Sequence, residues 1–277
     1  MYRVSKVLNN NGVIAIDMEE NQEYVILGKG VGFGKKVSQR FDKPAECTLY
    51  RLEQETERGS AKELVKGIEP EYLEIADEIL TEAQKVFGDS VDRGILFPLA
   101  DHISFAVARI RRNEQISNPL TEDIKVLFYS EFKVAETLKA ILKERFQIEI
   151  DDHEVGYVAL HIHSAIGDEK VSVAMQTARA VRECIDMIEK ATCKPIDVLS
   201  LSYNRLMNHM KYMVARASTG EKLNLDMNEY MLDQYPQAYE IAAEICKNLE
   251  GCIGHKLDET EIGYLAMHIQ RVYKDAV

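Results

Sequence analysis

Val155, Val158, Ala159 and Ile162 fall at i, i+3, i+4 and i+7, and Ile262, Leu265, Ala266 and Ile269 repeat the phase. Apolar positions at that spacing make one buried stripe on a helix. Ile95, Leu99, Ile103, Ala106 and Ile110 form another such stripe, as do Leu206, Met210, Met213 and Val214. A further helix is expected over 122–146, after the break at Asn118-Pro119. Asp151 with Glu154, and Asp258 with Glu261, open their helices in the capping-box pattern, which satisfies free first-turn amides. Strand-like alternation is absent from residue 64 onward. The front differs: "YRVSKVL", "GVIAI" and "EYVIL" are short β-rich runs separated by turn signals at Asn9-Asn10-Asn11-Gly12 and "DMEEN". "GKGVGFGKK" then places glycines at 28, 30, 32 and 34, which in a strand context implies close backbone approach, unusual φ, or both.

The helical part is written twice. "DDHEVGYVALHI" begins at Asp151 and "DETEIGYLAMHI" at Asp258, an offset of 107 residues. The same offset lays "DHISFAVAR" on "NHMKYMVAR", and Phe132 and Ala135 on Tyr239 and Ala242. His102 thereby matches His209 and His161 matches His268, with 59 residues inside each pair. A repeat of this length marks a duplicated domain. His161 and His268 fall at the flank of their helices, between core and surface. His153 and His255 have no histidine partner at the offset and read as surface residues. His163 stands close enough to His161 to compete with it.

The predicted architecture is multidomain: a small all-β antiparallel front unit over 1–56, a linker over 57–66, and two homologous all-α bundles over 67–170 and 171–277. The apolar fraction of 46% lets each bundle hold a core. About four short strands cannot bury both faces of a sheet, so the front unit is expected to dimerise. Net charge is −12, unevenly spread. Residues 1–40 hold six basic and four acidic side chains, a balance of +2, which leaves −14 for the rest. Any polyanion is therefore met at the front end. Five cysteines without a C-x-x-C pair suggest reduced thiols in a cytoplasm. No apolar run reaches membrane-spanning length.

Two enzyme-like readings fail. "ILGKGVGFGKKV" imitates a kinase glycine loop, but no H-R-D or D-F-G follows and no Walker motif occurs. His153, His161, His163, Glu154 and Asp151 cluster in sequence like metal ligands, yet the second copy lacks His153 and His163. No catalytic residue, metal or cofactor is expected.

"KVLNNN", "GKGVGFGKK" and the duplicated histidine pairs together resemble the BglG/SacY-type transcriptional antiterminators of bacterial sugar operons, over the whole chain. The resemblance implies a dimeric RNA-binding domain that grips a leader mRNA hairpin and prevents a terminator from forming. Two phosphotransferase-system regulation domains (PRDs) would follow it. The implied RNA contacts are Lys6, Asn10, Asn11, Gly28, Lys29, Gly30 and Phe33. His102, His161, His209 and His268 are the implied phosphorylation sites. The first pair would be served by a sugar-specific permease (enzyme II) and the second by the histidine phosphocarrier protein. Arg109 and Arg216, seven residues beyond the first histidine of each pair, are candidate phosphate partners. Lys29 stands where some relatives carry arginine, and Asn208 precedes His209 where Asp101 precedes His102. The competing reading is a PRD-containing DNA-binding activator, which requires a helix-turn-helix where residues 1–60 read as strands.

Overall fold

The structure is a computed structural model that describes the chain apart from residues 53–54, 57–58, 115, 168–169, 194, 198–199 and 276–277. Five strands, β1 (Tyr2–Asn9), β2 (Gly12–Asp17), β3 (Glu23–Leu27), β4 (Arg40–Phe41) and β5 (Thr48–Arg51), form an antiparallel sheet ordered β4-β1-β2-β3-β5. A two-stranded ladder, β6 (Glu55–Thr56) with β7 (Gly59–Ser60), follows it. The β1–β2 hairpin turns on Asn10-Asn11, with Asn9 paired to Gly12. Bulges between Val4 and Lys6 and between Val7 and Asn9 shift its register.

Register places Val13, Ile26 and Leu49 on one face, and Ile14, Val25 and Tyr50 on the other. The first face is sealed by the chain that follows β3: Tyr2, Val13, Ala15, Ile26 and Val31 are buried, with Phe41 and Cys47 packed against them. The second face is covered by helices, where Tyr50 meets Phe97 edge-on at 6.3 Å. Both faces of the sheet are thus covered within the chain, so burial alone does not require a second copy.

Twelve helices follow among the described residues. α1 (Ala61–Gly67), α2 (Pro70–Phe87), α3 (Leu96–Arg111), α4 (Thr121–Leu127), α5 (Tyr129–Ala135), α6 (Thr137–Phe146) and α7 (Asp152–Gly167) precede α8 (Val171–Thr192). α9 (Leu201–Thr219), α10 (Asn228–Gln234), α11 (Pro236–Ile253) and α12 (Thr260–Asp275) complete the chain. Local chemistry sets several ends. Pro70 and Pro236 stand in the first turns of α2 and α11, where a missing N–H costs nothing. The Ser200 side chain accepts the Tyr203 N–H to cap α9, and Gly220, in the left-handed region, closes it.

The duplication is visible in these bounds, since α4 shifted by 107 is α10. The helix expected over 122–146 is instead three helices. Phe128, with ψ 47, leaves helical geometry between α4 and α5, and a turn at Glu136 separates α5 from α6. The break has a tertiary counterpart. The chain divides into two compact units, 1–118 with 130–170, and 119–129 with 171–277. The second unit thus contains α4, whose buried Asp123 accepts a hydrogen bond from the buried Tyr203 hydroxyl of α9 at 3.1 Å. All five cysteines are free, and burial drives the Cys184 and Cys246 thiols up to about 12.

Candidate RNA platform and histidine centres

Asn9, Asn10 and Asn11 and the glycine run form one platform. Gly28 N–H donates to the Asn11 carbonyl and Gly32 N–H to the Asn10 carbonyl, each at 2.9 Å. The Asn11 side-chain oxygen accepts the Gly30 N–H at 3.0 Å. Both expected uses of glycine occur here. Gly30 has φ 73, and a β-carbon at Gly32 would lie 2.0 Å from the Asn9 carbonyl oxygen. The loop projects Phe33, 75% exposed, together with exposed Lys29. Lys6 is exposed on β1, paired in register with Ile14, and Asn10 is exposed at the turn. An uncovered aromatic ring beside amide and ammonium donors suits unpaired bases and phosphates. Asn9 and Asn11 also meet a group the sequence did not indicate: both donate to the Glu74 carboxylate of α2, at 2.6 and 3.1 Å.

The four matched histidines meet in two pairs. In the first copy, His102 on α3 and His161 on α7 are 8% and 6% exposed, and their ring centroids lie 5.3 Å apart. In the second, His209 on α9 stacks on His268 of α12 at 4.8 Å. Tyr157 and Tyr264, also matched at the offset, flank the respective pairs. Burial, then the neighbouring His268 and Arg216, lowers His209 to about 3. Burial, then Arg271 and Arg205, lowers His268 to about 4. Both rings are therefore neutral near pH 7, the form in which an imidazole nitrogen is nucleophilic.

Each centre also contains the glutamate of the capping-box pattern, Glu154 or Glu261. His102 Nε2 stands 3.4 Å from Glu154 Oε2, and His209 Nε2 stands 3.7 Å from Glu261 Oε2. Arg109 Nη2 donates to Glu154 Oε1 at 2.8 Å. Arg216 grips Glu261 through Nε at 2.6 Å and Nη2 at 2.9 Å. Burial alone would raise the Glu154 carboxyl, but His102 and Arg109 outweigh it and hold it below its ordinary range. The capping boxes are accordingly half built. Asp151 accepts the His153 and Glu154 amides and Asp258 accepts the Thr260 amide, while the glutamates turn to histidine and arginine. The signal was present in the sequence, because Glu154 and Glu261 coincide at the 107 offset.

Other histidines have local roles. His153 is half-buried, with Nδ1 3.2 Å from the Asn118 carbonyl oxygen, and is not the surface residue expected. His163 Nδ1 lies 2.9 Å from Glu131 Oε1, whereas His255 is exposed as expected. Among the described residues no group of three or more His, Cys, Asp and Glu could hold a metal ion, and no helix is long and apolar enough to cross a membrane.

The CAT RNA binding domain family matches residues 2–59, and the PRD domain family matches 77–165 and 182–272. The GlcA/glcB genes antiterminator of Staphylococcus carnosus is 30% identical over 97% of this chain and 94% of its own length. Transcription antiterminator LicT of Bacillus subtilis is 28% identical over 99% of this chain and all of its own. The crystal structure of GlcT CAT-PRDI superposes with a TM-score of 0.52 at 29% identity, covering 60% of this chain and 98% of that one. Residues 2–51 form a β-sheet within the matched RNA-binding domain, where a DNA-binding activator would present a helix-turn-helix. The chain belongs to the transcription antiterminator family in which a CAT RNA-binding domain precedes two PRD domains.

Proposed function

We propose that this antiterminator serves a sugar-utilisation operon in the cytoplasm and works as a dimer. In this reading Asn10, Asn11, Gly28, Lys29, Gly30 and Phe33, with Lys6, form the surface that grips a leader mRNA hairpin. His102 and His161 accept phosphate from a sugar-specific permease, and His209 and His268 accept it from the histidine phosphocarrier protein. The observation that carries the reading is the twice-built centre of two histidines, a glutamate, an arginine and a tyrosine in a chain whose front is an RNA-binding sheet. A phosphoryl group adds nearly two negative charges beside a carboxylate that one arginine already neutralises. Arg109 and Arg216 must then be shared between glutamate and phosphate, which strains the packing of α3 on α7 and of α9 on α12.

The test uses the full chain with phosphoenolpyruvate, the general phosphotransferase enzyme, the phosphocarrier protein and the permease. Acid-labile phosphate mapped by peptide is expected on the four paired histidines. Label confined to His153, His163 or His255 would contradict the assignment.

A further inference from the structure

In both centres the ring nitrogen turned toward the glutamate is Nε2, and it is enclosed with no hydrogen-bond partner of its own. Nδ1 of His102 and of His209 is not among the enclosed, unpartnered atoms. A neutral imidazole carries one N–H, and an ionised carboxylate can only accept. The lowest-energy arrangement therefore puts the proton on Nε2, toward the glutamate, and leaves the lone pair on Nδ1. We infer that Glu154 and Glu261 are positioning residues that hold His102 and His209 in the Nε2-protonated tautomer and make Nδ1 the phosphoryl acceptor. This inference rests on the phosphorylation reading above.

Arg109 and Arg216 are part of the device. Arg109 helps hold the buried Glu154 carboxyl below its ordinary range, and Arg216 fixes the direction of Glu261 through two hydrogen bonds. The transfer balances without an added proton. The Nδ1 lone pair forms the new P–N bond while the donor's P–N bond breaks and its electron pair returns to the donor ring. The acceptor becomes a phosphoimidazolium that retains the Nε2 proton, and a donor phosphohistidine already protonated on its other ring nitrogen leaves as a neutral imidazole. Positive charge develops on the acceptor ring in that step, and the facing carboxylate stabilises it, as the buried aspartate does for histidine in a serine-protease triad.

Long-range 1H–15N NMR of the full chain reads the tautomer, and 31P NMR after phosphorylation reads which nitrogen carries phosphate. Wild type is expected to show Nε2 protonated at His209 and phosphate on its Nδ1. Glu261→Gln offers a carboxamide that can donate to Nε2. It should shift the ring toward the Nδ1-protonated form and slow phosphorylation by the phosphocarrier protein roughly 10–100-fold. Glu261→Asp should retain the wild-type tautomer. An unprotonated Nε2 in wild type, phosphate on Nε2 of His209, or an unchanged tautomer in Glu261→Gln overturns the inference. A wild-type chain that takes no phosphate at all overturns the underlying reading, and the inference with it.

A second, independent observation lies at the RNA platform. The amide donors of Asn9 and Asn11 both end on the Glu74 carboxylate. Glu74 lines a cleft with Gly28, Lys29 and Arg145, in which its neighbours Asp77, Glu78 and Glu82 are paired with Arg93, Arg145 and Lys85. Asn11 has both ends of its side chain engaged, one by Gly30 and one by Glu74. A carboxylate in this position imitates a phosphate oxygen, so it occupies the amide donors that a transcript would otherwise engage. We propose that Glu74 of α2 is an intramolecular latch that competes with RNA for the asparagine turn. The proposal rests on the RNA-contact reading above.

Affinity of the full chain for a leader-hairpin transcript is measured for Glu74→Gln, Glu74→Ala and the double variant Lys29→Ala/Phe33→Ala. Both Glu74 variants are expected to bind at least ~5-fold more tightly, the lower end of common coupling between sites. The double variant is expected to lose binding. Unchanged or weaker binding in both Glu74 variants, with the double variant impaired, overturns the latch and leaves the RNA surface standing. Full binding by the double variant overturns the RNA-surface reading itself and removes the basis of the latch.

Discussion

His209 and His268 show how burial prepares a side chain for chemistry. With folded values near 3 and 4 against 6.5 in the unfolded chain, the unfolded state takes up protons first as pH falls. Stability is therefore fully present above pH 6.5 and is lost as pH drops toward the folded values. Between pH 6.5 and 5.5 the loss should be about 1 kcal/mol for each ring. Urea unfolding at those two pH values reads it, and His209→Gln should remove about half of the difference. Phe33 is the opposite case, an aromatic ring that packing leaves bare. Phe33→Ala should cost RNA affinity about 1–3 kcal/mol, the usual worth of one stacked base, with the melting temperature unchanged. Exposure separates Phe33 from the two histidines, and residue type alone does not.

At the scale of elements, the glycine loop and the asparagine turn depend on each other. Gly32→Ala drives a β-carbon into the Asn9 carbonyl, so the loop must leave the hairpin. Loss of transcript binding and a lower melting temperature are expected together. Gly30→Ala meets open space and pays only for its φ of 73, about 1 kcal/mol, so it should melt close to wild type. A thermal melt of the two variants side by side checks the contrast. The strand runs and the turn between them were legible because β-branched residues and asparagines speak for themselves locally. The second role of Glu154 was not. A glutamate three residues after an aspartate satisfies the capping pattern equally well whether it reaches back to the amide or inward to His102. Only the position of α3 beside α7 chooses between them.

For the molecule as a whole, the charge asymmetry sets how a polyanion approaches. With −14 on the residues after the first forty, RNA is drawn to the front sheet alone, and its binding should weaken steeply with salt. Lys29→Ala should lower the slope of log affinity against log salt by about one and weaken all transcripts alike, which a titration from low to moderate salt measures. The order of domains, the duplication and the pairing of histidines can be read from the residues alone, because periodicity and a constant 107-residue offset survive without coordinates. Tertiary structure decided the rest. It turned Glu154 and Glu261 toward the rings, set Glu74 against Asn9 and Asn11, broke the helix at Phe128, and placed α4 with the second copy. These are contacts between segments far apart in the chain, and their energies depend on burial and direction, which no local pattern of residues encodes.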